Sequence, residues 1–546
     1  MFSSLPLVLL LSPATAVLAA TVTYNFNITW TTANPDGLFP RRTIGINGKW
    51  PIPTIEVNKG DRLIVNMYNG LGDQDTSLHF HGIFQNGTSY MDGPAKVTQC
   101  PVAPGQSFKY DFVVNQPGTY WYHSHVKGQY PDGLRGALIV HDNDSPHRSL
   151  YDSEVVLTFS DWYHEQMARL ISRFLSVANP TGAEPVPQCA LINESRDTKV
   201  KVEPGKTYLF RMINIGAFAA QYVWFEGHTM RVVEVDGVYT KPMEAGMLYL
   251  TAAQRVSVLV TMKNGTGENF PFVGSMDQDL FDQVPKGLDP NVTGHLIYSD
   301  SNKNPPAKEI TEFDPFDDFL LEPEDGEVLL ENPDYSFNLD IVMDNLNDGA
   351  NYAFFNEITY VAPKVPTLYT ALSAGQHATD PTIYGRDTHS FILNHNQVIE
   401  IILNNLDPGK HPFHLHGHNF QLVHRSPDDS GPYNSTSLQN PPKIPMRRDV
   451  VLVRPNGNLA LQWHMVSGLS ATMVEAPLEM QKSMKIPEDH INQCKDAGLP
   501  TEGNAAGNTD FLDLRGENQS PGRLPSGYVS SSSIDPSHFR WDTYGQ

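Results

Sequence analysis

The chain of 546 residues contains only three cysteines, Cys100, Cys189 and Cys494. In an oxidising compartment at most two of them pair and one is left over, and spacing alone does not say which. Positive charge is also scarce. Against 61 Asp and Glu stand 38 Lys and Arg, a formal net charge of −23. That balance disfavours nucleic acid as a partner and favours cations. Beyond the N-terminus, no stretch is long and apolar enough to span a bilayer. Long helical periodicity is scarce too, leaving short β-rich runs between Pro and Gly turns as the main elements. With 40% hydrophobic and 18% charged residues, the chain can bury a core and is not a disordered polymer.

What the chain does have is clustered histidine. His411-Pro-Phe-His-Leu-His-Gly-His418 places four of the chain's 20 histidines in eight residues. Two more His-x-His pairs occur, His79-Phe-His81 and His123-Ser-His125. A β-strand puts residues i and i+2 on one face, so each pair aims two imidazoles the same way. Imidazole suits copper, zinc, iron and nickel. Three convergent pairs offer more ligands than one ion can use, so the pattern predicts a cluster of metal ions.

The apolar run at residues 5–20, closing on Ala19-Ala20, reads as a secretory signal peptide. Sequons at Asn27, Asn86, Asn193, Asn264, Asn291 and Asn434 agree with secretion and glycosylation. A strand-turn-strand unit recurs at 56–69, 201–214 and, more weakly, 392–405. Three distant copies predict an all-β chain of three homologous sandwich domains. We place them at 21–145, 146–303 and 336–485, with an acidic, Pro-rich linker at 304–335 and a C-terminal tail at 486–546. A short helix is expected near 163–177.

The histidine motifs, in this order on three cupredoxin-like Greek-key domains, resemble the multicopper oxidases. Met343 to Asn356, Pro445-Met-Arg-Arg-Asp449 and Thr501 to Ala506 resemble the fungal iron-transport ferroxidases more than ordinary laccases. The resemblance implies copper: a mononuclear blue site that takes single electrons, and a trinuclear cluster that reduces O2 to water. It assigns His79 and His414 to the lone copper of the cluster. His81, His123, His125 and His416 fall to the coupled pair, His411 and His464 to the blue site, and Leu469 to its axial position. A non-coordinating axial residue raises the potential. His418 has no ligand role in that pattern and reads as structural. Asp92 has two readings: a turn residue before Gly93-Pro94, or an acid that delivers protons near the cluster.

The resemblance also matches Glu184, Asp282 and Asp407 to iron-binding acids. Asp407 stands four residues before His411, so its proximity to the blue site follows from the sequence itself. Carboxylates favour Fe(III) over Fe(II), whereas a laccase needs an open apolar pocket for a phenol. Fe(II) and O2 are then the expected substrates, with an iron permease as expected partner at the cell surface. The same resemblance implies a Cys100–Cys494 disulfide, an unpaired Cys189 and a membrane anchor that this chain does not contain.

One departure is large. A blue site needs a thiolate, which the family carries in a His-Cys-His segment before the Trp-His of the last motif. No cysteine precedes Trp463-His464 there. In the first domain Gly105 to Gly133 spans 28 positions, whereas Gly457 to Gly468 spans 11 in the third, a difference of 17. The missing part corresponds to a turn, a strand and the ligand segment itself, so two cluster histidines are expected to be lost with the thiolate. The expectation is a coding segment removed in error, with a catalytically impaired copper-binding protein as the rival.

Overall fold

A computed structural model describes residues 19–434, 436–438, 440–464 and 471–525, with His464 described by its backbone alone. Strands dominate, and each copy of the repeat folds the same way. A short strand, a turn and a long strand follow one another at Ile55–Asn58 and Arg62–Asn69, at Lys199–Lys201 and Thr207–Asn214, and at Phe391–Leu393 and Val398–Asn405. In each copy the two strands enter different sheets, so one repeat links the two layers of one sandwich.

In the first sandwich, strands Arg41–Ile46, Thr21–Ala33, Arg62–Asn69 and Ser107–Val113 form one sheet in that order. Alternate residues face inward: Leu63, Val65 and Met67 from one strand, Phe108, Tyr110 and Phe112 from its neighbour. Period-two burial is what half-buried strands require, and each such side chain contributes about 2 kcal/mol. The opposing sheet runs Ile55–Asn58, Arg135–His141, Gly118–His123, His79–His81. Its last two strands are buried throughout. One face packs on the core and the other carries the histidines.

The second sandwich pairs a six-stranded sheet with a five-stranded one. The latter runs Lys199–Lys201, Asn291–Ile297, Phe270–Met276, Gln221–Phe225, Leu248–Leu250. The third keeps an equivalent six-stranded sheet, from Asn351–Phe355 to Arg447–Arg448, but its second layer is split. Phe391–Leu393 pairs in parallel with Met473–Glu475, and His411–His414 pairs antiparallel with Val450–Val453. In the second sandwich the corresponding pairs are joined by Phe270–Met276, and in the first that place belongs to Gly118–His123. Among the described residues, no strand joins the two pairs of the third sandwich. Consistent with that, His411–His414 is only half-buried while His79–His81 is fully buried.

The second and third sandwiches share one apolar core, with the first closing around its own. The expected helix is present as Met167–Phe174. The linker is clasped by arginines of the third sandwich: Arg425 pairs with Asp317 and Asp318, Arg448 with Asp318, and Arg447 with Asp325 and Glu327. The described part of the tail is packed: helix Glu488–Asp496 carries Cys494, which is bonded to Cys100, and Leu524 is buried. Cys189 is the free cysteine; it is buried 4.0 Å from Asp36 Oδ2, and burial pushes its thiol up to about 12.

Candidate metal centre

Strands His79–His81 and Gly118–His123 run antiparallel with His79 opposite His123. The third sandwich brings His414 and His416 against them. Ring centroids of His81 and His414 lie 3.7 Å apart, those of His79 and His416 4.2 Å, and those of His414 and His416 4.7 Å. His123 and His125 stand 5.3 and 5.6 Å from His79. Six of the eight expected copper-binding histidines thus form one cluster between two sandwiches, with His79, His81, His123 and His416 buried, His414 half-buried and His125 exposed.

Their second nitrogens fix their orientation. Nδ1 of His79 donates to Asp92 O at 2.7 Å, that of His123 to Ser124 O at 2.9 Å, and that of His414 to Asp449 O at 2.8 Å. A proton on Nδ1 leaves a lone pair on Nε2. The Nε2 atoms of His79, His123 and His414 are buried without a hydrogen-bond partner. Potential ligand atoms of His79, His81 and His414, and of His79, Asp92 and His416, lie within 4.8 Å of one another. Burial pushes the imidazoles of His79, His81 and His123 below their ordinary range. They are therefore neutral at neutral pH, the form that binds metal.

Two carboxylates hold the cluster. Asp92 Oδ2 accepts from His416 Nδ1 at 2.9 Å, and Oδ1 lies 3.2 Å from His79 Nδ1. Burial pushes Asp92 up, but the adjoining His79 and His416 outweigh it and hold the carboxyl well below the usual range. Asp449 was not among the residues expected from sequence. Its Oδ1 stands 3.6 Å from His81 Nε2 and 3.5 Å from His414 Nδ1. Arg255 of the second sandwich grips it with two bonds of 2.6 and 2.7 Å. The Arg-Arg-Asp stretch was visible in the sequence, but only the third dimension gives it this place.

On the electron-donor side, His411 Nε2 lies 2.9 Å from Asp407 Oδ2. Burial raises the Glu184 carboxyl above its ordinary range; the Asp282 and Asp407 charges raise it further, and His411 opposes them. All three expected acids therefore belong to one electrostatic neighbourhood, with Asp282 exposed and Glu184 half-buried. His418 donates from Nδ1 to His416 O at 3.1 Å. His464 ends strand Asn458–His464 with its backbone opposite Val398. Its side chain and Leu469 lie outside the described residues.

Profiles described as multicopper oxidase match residues 27–145, 153–301 and 360–469. The chain belongs to the multicopper oxidase family. The iron transport multicopper oxidase fetC of Epichloe festucae is 57% identical over 532 residues, covering 94% of this chain and 86% of the relative. The crystal structure of Fet3p, a multicopper oxidase that functions in iron import, superimposes with a TM-score of 0.88 at 43% identity, covering 91% of this chain and 99% of that one. A laccase from Botrytis aclada reaches 0.76 at 26% identity, covering 88% and 92%.

Copper implied by the family fits one half of this site. The orphaned, buried Nε2 atoms of the cluster are the donors that copper takes. The blue half does not fit. Two of the three cysteines are bonded to each other, and Cys189 is buried beside Asp36 in the sheet edge of the second sandwich. No thiolate is available to His411.

Proposed function

We propose that this chain is of the ferroxidase type. In its intact form it oxidises Fe(II) to Fe(III) and couples four such oxidations, with four protons, to reduction of one O2 to two waters. The observation that carries this reading is the Asp407 carboxylate, 2.9 Å from His411 Nε2, with the Glu184 carboxyl responding to the charges of Asp282, Asp407 and His411. Carboxylate oxygens are hard donors, and their charge stabilises Fe(III) more than Fe(II), easing loss of the electron. A phenol has one hydroxyl to give a carboxylate and gains nothing from the second and third acids. Copper, when bound, supplies the one-electron chemistry; His79, His81, His123, His125, His414 and His416 are the residues that would hold it on the oxygen side, oriented by Asp92 and Asp449. Passage through the secretory pathway, a place at the cell surface and delivery of Fe(III) to an iron permease complete the reading.

The absent thiolate and the split sheet favour a second reading of the exact sequence, a copper-binding member of the family without turnover. A coding segment lost near residues 458–464 reconciles the two. The test compares this chain with a version carrying the segment of its relatives. The restored chain should show the blue absorption band and turn over Fe(II) in preference to a phenol, a preference lost in Glu184→Ala plus Asp407→Ala. The present chain should take up copper without the band. A blue band from the present chain refutes the loss of the thiolate, and an iron preference untouched by the double substitution refutes the acid site. A transcript identical to this sequence across codons 458–464 discards the lost-segment explanation.

A further inference from the structure

Glu184 sits in an awkward place for a metal-binding residue. Helix Met167–Phe174 ends ten residues before it, and the chain from Leu175 to Gln188 forms neither helix nor strand. No ladder of backbone bonds therefore aims its carboxylate. The other half of the site, Asp407 and His411, stands on the third sandwich.

Three contacts supply the missing frame. Asn179 Nδ2 donates to Phe174 O at 3.1 Å and to Ala183 O at 3.0 Å, closing the loop on itself. Asn351, first residue of strand Asn351–Phe355 in the third sandwich, donates from Nδ2 to Pro180 O at 2.9 Å. Gly182 lets the two approach: its φ is +72°, and a Cβ there would stand 2.5 Å from Asn351 Nδ2. Such a conformation favours glycine, and a Cβ there would push the Asn351 amide off Pro180 O.

We propose that Asn179 and Asn351 are positioning residues for the substrate iron: the Asn351–Pro180 bond ties the Glu184 loop to the same sandwich that carries Asp407 and His411. This rests on the ferroxidase reading of the acid site. Neither asparagine touches the iron. Each removes a freedom that Glu184 would otherwise lose on binding, so its loss weakens iron without altering copper.

The test titrates Fe(II) anaerobically into the full chain, with the histidine cluster preloaded with Cu(I). Asn351→Ala should weaken Fe(II) about fivefold, the worth of one modest hydrogen bond, with copper content and melting temperature unchanged. Gly182→Ala should weaken it as well. In the double substitution the two effects should fall short of additive, because the clash and the bond involve the same atoms. Glu184→Ala serves as reference and should weaken Fe(II) most. Unchanged affinity in Asn351→Ala beside a loss in Glu184→Ala overturns the clasp alone. Unchanged affinity in both overturns the acid site and the clasp with it. A loss that travels with falling copper content or melting temperature marks general destabilisation, and also overturns the proposal.

Discussion

Asp449→Asn tests how the copper cluster is held. Arg255 is completely buried, and two of its nitrogens bond the two Asp449 oxygens. An asparagine keeps the shape but turns one acceptor into a donor that faces the guanidinium. Removing one partner of a buried pair costs about 3–5 kcal/mol, because the other charge stays behind uncompensated. Here Asp236 remains 3.5 Å from Arg255 Nη1, and the Thr119 and Ala253 carbonyls still accept from the guanidinium. The expected cost is therefore at the lower end, about 3 kcal/mol. Urea unfolding of the copper-free chain, followed by tryptophan fluorescence, measures it. Asp449→Leu combined with Arg255→Met removes both charges and should recover most of that stability. Copper affinity should not recover with it. His81 and His414 still lack the carboxylate that orients them, a loss worth about tenfold or more in metal affinity. A cost below about 1 kcal/mol for Asp449→Asn would refute the buried-pair argument. Full return of copper affinity in the double substitution would refute the orienting role.

Acid should loosen the linker. Burial pushes the Asp318 carboxyl up, but Arg425 and Arg448 overcome it and hold it at about 2. A depressed carboxylate stabilises fully above its unfolded value near ~4 and loses that contribution as pH falls through the folded value. Hydrogen-exchange protection at residues 317–327, corrected for the intrinsic rate at each pH, should fall from pH 4 to pH 2, and protection that ignores pH in that window refutes it. His79→Ala, which touches both groups of close donors, should lower bound copper per chain by elemental analysis; an unchanged ratio refutes the cluster assignment. Cys100→Ser should release a crosslink spanning 394 residues, destabilising the chain by about 4 kcal/mol. Proteolysis within helix Glu488–Asp496 reports it, and resistance equal to the parent contradicts it.

The three-sandwich architecture was legible because strand periodicity and the repeated strand-turn-strand are local features. The histidine pairs were legible for the same reason: spacing of two on a strand needs no knowledge of the rest. The pairing of Asp449 with Arg255 was not legible, since it joins residues 194 positions apart; the motif that ends in Asp449 was visible, its partner was not. The Glu184 frame was equally hidden, because the bond from Asn351 to Pro180 joins residues 171 positions apart. The Cys100–Cys494 disulfide expected from the resemblance is present, whereas the clasp of the acidic linker by arginines of the third sandwich had no local signal.

The split layer of the third sandwich also bears on how the molecule fares before it ever meets iron. A strand with one partner presents a row of unpaired N–H and C=O groups on its other side. Among the described residues, both His411–His414 and Met473–Glu475 have such a side. Open edges invite pairing with other chains. They also invite triage by the folding machinery that inspects proteins in transit, where small losses of stability change abundance several-fold. For this sequence the amount of folded protein that accumulates is then set as much by those two edges, unpaired among the described residues, as by any metal it binds.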